Sequence, residues 1–219
     1  GFRGRRSHEI VALPPQGCLI AVDLPYPDIA AVAEPGGEVV VAVADNGTAV
    51  LGPRRRLGPD PVRQSAQGRD FLVAANGFWQ SHRSAPDVLC DVVLEGLNPR
   101  PGEIALDLYC GVGLFAGALV DAGCTVTGVE ASRQAVAAAR HNVPEATFID
   151  QPMERAAARL PRQVDLVVLD PPRKGAGADM VRAVVAREPR AIAYVACDPA
   201  ALGRDLATAG PVAVTETWD

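Results

Sequence analysis

The stretch of sequence that decides the fold is EIALDLYCGVGLFA at residues 103–116, an apolar run that leads into a turn with two glycines. Residues 103–108 predict a strand and residues 114–122 predict a helix. Later segments repeat this alternation, which indicates a parallel sheet with crossover connections, buried on both faces. We therefore predict an α/β fold of Rossmann-like type with helices on both faces. Further strands are predicted at residues 125–129, 146–149, 164–169 and 191–196, and helices at residues 84–97, 132–142 and 199–209, the first capped by Ser84 and the last by Asp198.

The residues before this α/β pattern are organised differently. Short β-rich runs are interrupted by prolines and glycines, and Asp45-Asn46-Gly47 predicts a hairpin turn. A segment rich in proline and arginine follows and predicts a linker. The predicted organisation is a partial β-rich domain at residues 1–52, a linker at residues 53–70 and the α/β domain at residues 71–219.

Composition limits the classes of function. The 219 residues are 48% hydrophobic, which is enough for one well-packed domain. The net charge of −5 argues against a uniformly basic surface for nucleic acid but permits a local basic track. The five cysteines are scattered, without metal-ligand spacing, and there is no long apolar span. We expect a cytoplasmic monomer that binds neither a membrane nor a metal.

The turn after the first predicted strand is a candidate cofactor site. Gly111 and Gly113 allow a tight backbone turn beside a ligand, and Glu130, about 20 residues further on, suits ribose hydroxyls. Together with Ala116 the glycines also satisfy a loose dinucleotide pattern, so a nicotinamide or flavin site is an alternative. Asp107 favours S-adenosylmethionine, because a carboxylate there would repel a pyrophosphate but can pair with the ammonium of a methionine moiety.

A second candidate site is the turn Asp170-Pro171-Pro172-Arg173 after the strand at residues 164–169. Proline fixes φ and restricts the residue before it, so the two prolines should fix the direction of the Asp170 carboxylate. Methyltransferases that act on amino groups carry an aromatic residue where this chain has Arg173. That difference disfavours an exocyclic amine as target and leaves Arg173 free to contact a phosphate or a base. The alternative is a stiff, exposed turn with a solvated arginine.

The third candidate is Cys197, in the string YVACDPA at the end of the last predicted strand. Ligands of open α/β sheets bind outside the carboxyl ends of the strands, so a thiol there is a candidate nucleophile. The alternative is a small buried apolar residue, which is what most free cysteines are. The other cysteines, among them Cys90, Cys110 and Cys124, are expected to be packing residues.

Taken in this order, the three motifs resemble those of the RNA uracil-C5 methyltransferases that use S-adenosylmethionine. The resemblance covers about residues 71–210 and implies a class I methyltransferase sheet. It assigns Cys197 as the nucleophile. The analysis of the turn adds two substrate contacts, Arg173 and, at the border of cofactor and base, Asp170. The resemblance also implies a set of cofactor contacts, to which the residue analysis adds Asp107, the glycines and, as the nearest candidate for adenine, Asp150. The predicted cofactor-binding residues are Gln80 (in Phe78-Trp79-Gln80), Asp107, Tyr109, Gly111, Gly113, Leu114, Glu130, Asp150 and Asp170.

The resemblance implies methyl transfer to C5 of a uridine in transfer or ribosomal RNA through a covalent Cys197–C6 adduct. In the family, the base that removes the C5 proton lies a few dozen residues beyond the nucleophile, past Asp219, and an RNA-binding barrel precedes the region of residue 1. The family's sheet also ends in an antiparallel hairpin, of which residues 212–217 supply at most one strand. We therefore expect a chain truncated at both ends, with that hairpin incomplete. Two other functions stay open. One is a noncatalytic relative that binds RNA or a nucleoside and S-adenosylmethionine but lacks the base; the other is a nicotinamide-dependent oxidoreductase, disfavoured by Asp107 and the Asp170 turn.

Overall fold

The computed structural model describes residues 2–3, 10–11, 25–156 and 159–210. Its amino-terminal part consists of short antiparallel strands and one helix. The turn at Asp45 and Asn46 joins two paired strands, which confirms the predicted hairpin. The predicted strand at residues 18–22 and the predicted terminal strand at residues 212–217 lie outside the described residues. The elements are β1 (Phe2–Arg3), β2 (Ile10–Val11), α1 (Tyr26–Val32), β3 (Val40–Ala44), β4 (Gly47–Leu51), β5 (Arg56–Leu57), β6 (Val62–Ala66) and β7 (Arg69–Val73).

In this part of the chain one prediction is wrong and one helix was not predicted. The expected linker at residues 53–70 contains β5 and β6, and β6 forms a hairpin with β7. Val62 and Ala66 are buried and Gln64 between them is half-buried, whereas Arg63 and Ser65 are exposed. This alternation is a strand pattern, which the surrounding prolines and arginines obscured. Helix α1 was not predicted either, because its prolines were interpreted only as strand breakers. Proline is also favoured in the first turn of a helix, where its missing N–H is not needed.

The α/β domain is built on a parallel five-stranded sheet in the order β10-β9-β8-β11-β12. All five strands coincide with predicted ones to within about two residues at either end. The central strand β8 is followed by β9 and β10 on one side, after which the chain crosses to β11 and β12 on the other. The strands are β8 (Ile104–Leu108), β9 (Thr125–Glu130), β10 (Thr147–Asp150), β11 (Leu166–Leu169) and β12 (Ala191–Tyr194).

Helices cover both faces of this sheet, as predicted. On one face α2, α3 and α4 pack over Ala105, Val126 and Leu166, and on the other α5 and α6 pack over Leu106 and Val167. The side chains of a strand alternate between the two faces, so each strand contributes to both cores. The helices are α2 (Ala85–Leu97), α3 (Leu114–Asp121), α4 (Arg133–Asn142), α5 (Met153–Ala156), α6 (Ala178–Val185) and α7 (Pro199–Ala209).

The predicted helix caps have different outcomes. Asp198 accepts a hydrogen bond from the Ala201 amide at 2.8 Å and caps α7, as the sequence predicts. Ser84 stands at the N-cap position, immediately before α2, but its backbone is helical and its side chain makes no cap hydrogen bond, so that prediction is wrong. The end of α2 is set by Asn98, whose φ of 44° is left-handed, a conformation that asparagine tolerates.

The strand order creates a crevice between β8 and β11. The chain leaves β8 toward one edge of the sheet and returns to the opposite side at β11, so the connections that follow these two strands diverge. In open α/β sheets, ligands bind in the crevice outside the carboxyl ends of the strands at this switch point. The turns at residues 109–113 and 170–173 flank this crevice.

Candidate cofactor and nucleophile site

The glycine turn after β8 bends sharply. Tyr109, Gly111 and Gly113 all have positive φ, at 66°, 53° and 95°. The Gly113 amide donates to the Cys110 carbonyl at 2.8 Å, and the Cys110 amide donates to Val129 in the neighbouring strand at 3.0 Å. A Cβ atom at Gly113 would lie 3.2 Å from Val143, so a side chain there would be both strained and crowded. This turn carries α3 back onto the sheet, with Leu114 as its buried first residue.

Asp107 lies beneath this turn and is completely buried. Its Oδ2 accepts a hydrogen bond from the Ala116 amide at 2.8 Å, while Oδ1 has no hydrogen-bond partner. The pKa of Asp107 is raised to about 8, mainly by burial and to a smaller extent by the nearby carboxylates of Asp170 and Glu130, against the lowering effect of the Ala116 hydrogen bond. A buried acceptor without a partner is costly, and a cationic ligand group would offset that cost.

Glu130 ends β9 and is held in place by the backbone. One carboxylate oxygen accepts from the Gly111 amide at 3.2 Å and the other from the Ser132 amide at 2.7 Å. Each carboxylate oxygen has two lone pairs, so Glu130 keeps acceptor capacity for ligand hydroxyls. Asp150 follows on the next strand, in register with Glu130, and makes an ion pair with Arg133 at 3.7 Å. These positions suit a ligand with a cationic group, hydroxyls and an adenine, which is the chemical composition of S-adenosylmethionine.

On the other side of the crevice, Asp170 follows β11 and is largely buried. Its amide donates to the Leu108 carbonyl at 3.3 Å, which fixes it beside the glycine turn. Burial raises the pKa of Asp170 to about 6. The structure therefore brings three carboxylates together: Asp170 and Glu130 lie close enough to Asp107 to raise its pKa.

Cys197 is exposed, in contrast to Cys90, Cys110 and Cys124, which are buried. It lines a small cleft together with Pro171, Pro172 and Arg173. The proximity follows from the sheet, because β11 and β12 are neighbours and the Val195 amide still pairs with the Leu169 carbonyl at 2.8 Å. The turn after β11 and the thiol after β12 thus share one cleft at the carboxyl edge of the sheet.

Among the predicted site residues, Gln80 lies outside the turns and strand ends beside the crevice. It lies half-buried in the segment between β7 and α2. The preceding Trp79 packs on Phe71 with ring centroids 5.4 Å apart, whereas Phe78 is 75% exposed. Trp79 therefore belongs to the core, and Phe78 offers an aromatic surface to solvent.

Two polar residues with central positions were not recognised from the sequence. The buried Asn142 accepts from the Leu72 amide at 2.8 Å and donates to the Leu72 and Val112 carbonyls at 3.1 and 3.0 Å, so it joins β7 to the glycine turn. The buried Asp205 accepts from the loop that follows Arg173. The only sequence signal for either is a polar residue on the apolar face of a helix, because their partners are distant in the chain.

The described residues contain neither a metal-binding cluster nor a membrane-spanning helix. In the part of the chain that the structure describes, no group of three or more His, Cys, Asp and Glu side chains could hold a metal ion. No helix among the described residues has the length and apolar character needed to cross a membrane.

The strand order and the crevice define an α/β domain that binds a ligand at its switch point, and a comparison with known families indicates the class of protein, the methyltransferases. A family model described as a methyltransferase domain matches residues 105–183, which run from β8 into α6. The matched residues contain the glycine turn, Glu130 and the Asp170 turn. The match confirms the predicted fold class and the predicted cofactor, S-adenosylmethionine.

The relatives in sequence indicate a narrower class, the RNA methyltransferases. A protein of Streptomyces avermitilis named an uncharacterized RNA methyltransferase is 51% identical over 152 residues, which cover 66% of this chain and 35% of that protein. An uncharacterized RNA methyltransferase of Streptomyces coelicolor is 39% identical, and the match covers 94% of this chain and 53% of that protein. The chain is therefore related to the RNA methyltransferases, as the motifs indicate, and it spans about half the length of these relatives or less.

A solved structure agrees with both findings. The tRNA (uracil-54, C5)-methyltransferase of Pyrococcus abyssi, in complex with S-adenosyl-L-homocysteine, superposes with a TM-score of 0.61 and 28% identity over 72% of this chain and 40% of that one. Trm5b of Pyrococcus abyssi superposes with a TM-score of 0.55 and 12% identity over 79% of this chain and 52% of that one, a likeness of fold alone.

Proposed function

We propose that this chain is the catalytic part of an enzyme that transfers a methyl group from S-adenosylmethionine to C5 of a uridine in RNA. The observation that carries the proposal is the exposed Cys197 thiol, which shares a cleft with the rigid turn after Asp170. C5 of uracil is too weak a nucleophile to attack a sulfonium methyl unaided. A thiol at this position offers a way to activate it.

The proposed reaction of Cys197 has three steps: addition to C6, methylation of C5 and elimination of the thiolate. The thiolate sulfur adds to C6, and the electrons of the C5–C6 double bond move to form an enolate that is nucleophilic at C5. C5 would then take the methyl group that S-adenosylmethionine offers when bound; the C5–methyl bond forms as the sulfonium–methyl bond breaks, and its electrons stay on the departing thioether sulfur. A base finally removes the C5 proton, the electrons restore the double bond, and the sulfur leaves C6 as a thiolate.

The other residues of the crevice hold the two reactants. Glu130 would accept hydrogen bonds from the ribose, and Asp107, with its unpaired oxygen, would interact with the ammonium group. Tyr109, Gly111, Gly113 and Leu114 form the wall of the crevice beneath the cofactor. We assign adenine contact to Asp150 and a further cofactor contact to Gln80.

The substrate side is formed by the turn after β11. Asp170 lies between the cofactor residues and the cleft, so it would contact both reactants. Arg173 lines the same cleft as Cys197 and would contact a phosphate or the uracil ring. A uridine in structured RNA would have to flip out of its stack to reach this edge. We also propose that the protein binds RNA, that it is a monomer and that it acts in the cytoplasm.

The test is covalent trapping with RNA that contains 5-fluorouridine, using transfer and ribosomal RNA transcripts. Fluorine at C5 blocks the final proton removal, so the methylated Cys197 adduct should accumulate and survive a denaturing gel. The adduct should require S-adenosylmethionine and disappear in Cys197→Ala. Cys124→Ala, which removes a buried thiol, is the matched control and should retain it.

Two outcomes would contradict the proposal. A wild-type protein that binds RNA without a covalent complex would be the noncatalytic relative. An adduct that persists in Cys197→Ala would assign the nucleophile to another residue. Peptide mapping of the trapped complex identifies the modified side chain in the second case.

A further inference from the structure

The loop that follows the Asp170 turn is held by a buried carboxylate from another element. Asp205 of α7 is 6% exposed, and its Oδ2 accepts hydrogen bonds from the Ala176 amide at 2.7 Å and the Gly177 amide at 3.3 Å. Successive backbone amides that point to one place form a site for an anion. In this protein the anion is the side chain of Asp205.

Two tyrosines complete the arrangement around Ala176. The Tyr194 hydroxyl, at the end of β12, donates to Asp205 at 2.5 Å and accepts from the Ala176 amide at 3.0 Å. The Tyr109 hydroxyl, from the glycine turn, donates to the Ala176 carbonyl at 3.3 Å. Burial raises the pKa of Tyr109 to about 12, and burial together with the Asp205 hydrogen bond raises that of Tyr194, so both stay protonated donors at neutral pH.

The glycines of the loop show how closely the Asp205 carboxylate approaches the loop backbone. A Cβ atom at Gly175 would lie 2.6 Å from Asp205 Oδ2. Gly177 has nearly the same φ, 84° against 86°, yet a Cβ atom there would meet nothing within 4 Å. The close packing at position 175 therefore depends on the carboxylate.

This arrangement connects the two parts of the proposed site. Helix α7 begins two residues after Cys197, and its N-terminus is fixed by the Asp198 cap. The loop at residues 174–177 directly continues the turn of Asp170 and Arg173. We infer that Asp205 is a positioning residue that holds Cys197 and the Asp170 turn at the separation required for adduct formation. The inference rests on the proposed function, since it concerns the same thiol.

The experiment compares Asp205→Ala and Asp205→Asn with the wild type in the full-length protein, at a temperature where all are folded. The rate of 5-fluorouridine adduct formation in a single turnover should fall by about tenfold to a hundredfold in Asp205→Ala, because small displacements of reacting groups are costly. Asparagine keeps one acceptor oxygen, so Asp205→Asn should recover part of the rate. The dissociation constant for S-adenosyl-L-homocysteine should change by less than about threefold, since Glu130 and Asp107 do not contact Asp205.

A second readout does not depend on activity. Hydrogen exchange at the Ala176 and Gly177 amides should accelerate in Asp205→Ala, because their acceptor is removed. Among glycine variants, Gly175→Ala should slow adduct formation more than Gly177→Ala. Both place alanine at a positive φ, but only the first displaces the carboxylate.

The outcomes separate this inference from the proposed function. Adduct formation at the wild-type rate in Asp205→Ala, or equal losses in the two glycine variants, would overturn the role of Asp205 and leave the proposed function intact. Equal losses of adduct rate and of S-adenosyl-L-homocysteine affinity would also overturn it, because they indicate a general structural defect. A wild-type protein that forms no adduct would overturn both.

Discussion

The two sides of the crevice use charge and burial in opposite ways. On the cofactor side, Asp107 is completely buried and Glu130 is held by two backbone amides. On the nucleophile side, the Cys197 thiol is exposed and the buried carboxylate, Asp205, lies behind it in α7. A cofactor that is bound in one orientation suits a preformed, rigid site. Under the proposed function the thiol has to reach a base in RNA, and for that it has to be accessible. The two sides should therefore respond separately to mutation.

The largest expected effect is that of Cys197→Ser. Methyl transfer to RNA should fall by about a thousandfold or more, because a serine hydroxyl is far less nucleophilic than a thiolate at neutral pH. The affinity for S-adenosyl-L-homocysteine, measured by calorimetry, should stay within about twofold of wild type, since the thiol lies on the other side of the crevice. A large loss of affinity would show that the two sides are not separate.

The reciprocal variant is Glu130→Ala. It removes the acceptor of two backbone amides and the proposed ribose contact, so the affinity for S-adenosyl-L-homocysteine should fall by about tenfold to a hundredfold. The alkylation rate of Cys197 by iodoacetamide, followed at the Cys197 peptide by mass spectrometry, should not change. Glu130→Gln, which keeps the shape of the side chain, should have the smaller effect on affinity. A change in the alkylation rate would contradict the comparison.

An effect of intermediate size is expected from Asp107, in the way the free energy of unfolding depends on pH. The pKa of Asp107 is raised from 3.8 to about 8 by burial, so between these pH values the folded protein holds a proton that the unfolded chain has lost. The free energy of unfolding should therefore decrease as pH rises through this window, by at most about 1.4 kcal/mol per pH unit for this group.

Asp107→Asn tests this linkage. Asparagine can still accept from the Ala116 amide but does not titrate, so urea unfolding at pH 5, 6, 7 and 8 should show a flatter dependence than in the wild type. Asp170, whose pKa is raised to about 6, contributes in the same direction at the acid end of the range and is unchanged in the variant. Parallel curves for the two proteins would show that Asp107 is ionised throughout.

The smallest effect is expected for Asp198→Asn, beside the nucleophile. Aspartate and asparagine are similarly good caps, so the unfolding free energy should change by only a few tenths of a kcal/mol, whereas Asp198→Ala should lose about 1 kcal/mol. The adduct rate of Asp198→Asn should stay within about twofold of wild type. A large change in rate at unchanged stability would mean that the charge of Asp198, and not its cap, acts on Cys197.

The sequence was sufficient for the elements that carry local signals. The strands β8 to β12 were found because continuous apolar runs alternate with helices, and the cap of α7 because Asp198 precedes Pro199. The same signals placed Cys197 and the Asp170 turn at one edge of the sheet. The grouping of Cys197 with Pro171 and Arg173 in one cleft follows from the pairing of neighbouring strands.

The features that the sequence did not reveal depend on contacts over long distances in the chain. Asn142 contacts Leu72, 70 residues away, and Asp205 contacts Ala176, 29 residues away. No periodicity or turn signal encodes such pairs. The hairpin of β6 and β7 was missed for a related reason, since its burial depends on packing against α4.

That hairpin has a consequence for engineering. Besides the bonds from Asn142, Arg69 of β7 makes ion pairs with Asp121 at 2.5 Å and with Glu145 at 3.3 Å, so the hairpin is bound to α3 and to the segment that follows α4. A chimera that began at residue 71 would leave Asp121 and Glu145 without their cation and β7 without its pairing strand. A graft of this α/β unit onto a different module should therefore start no later than Val62, the first residue of the hairpin.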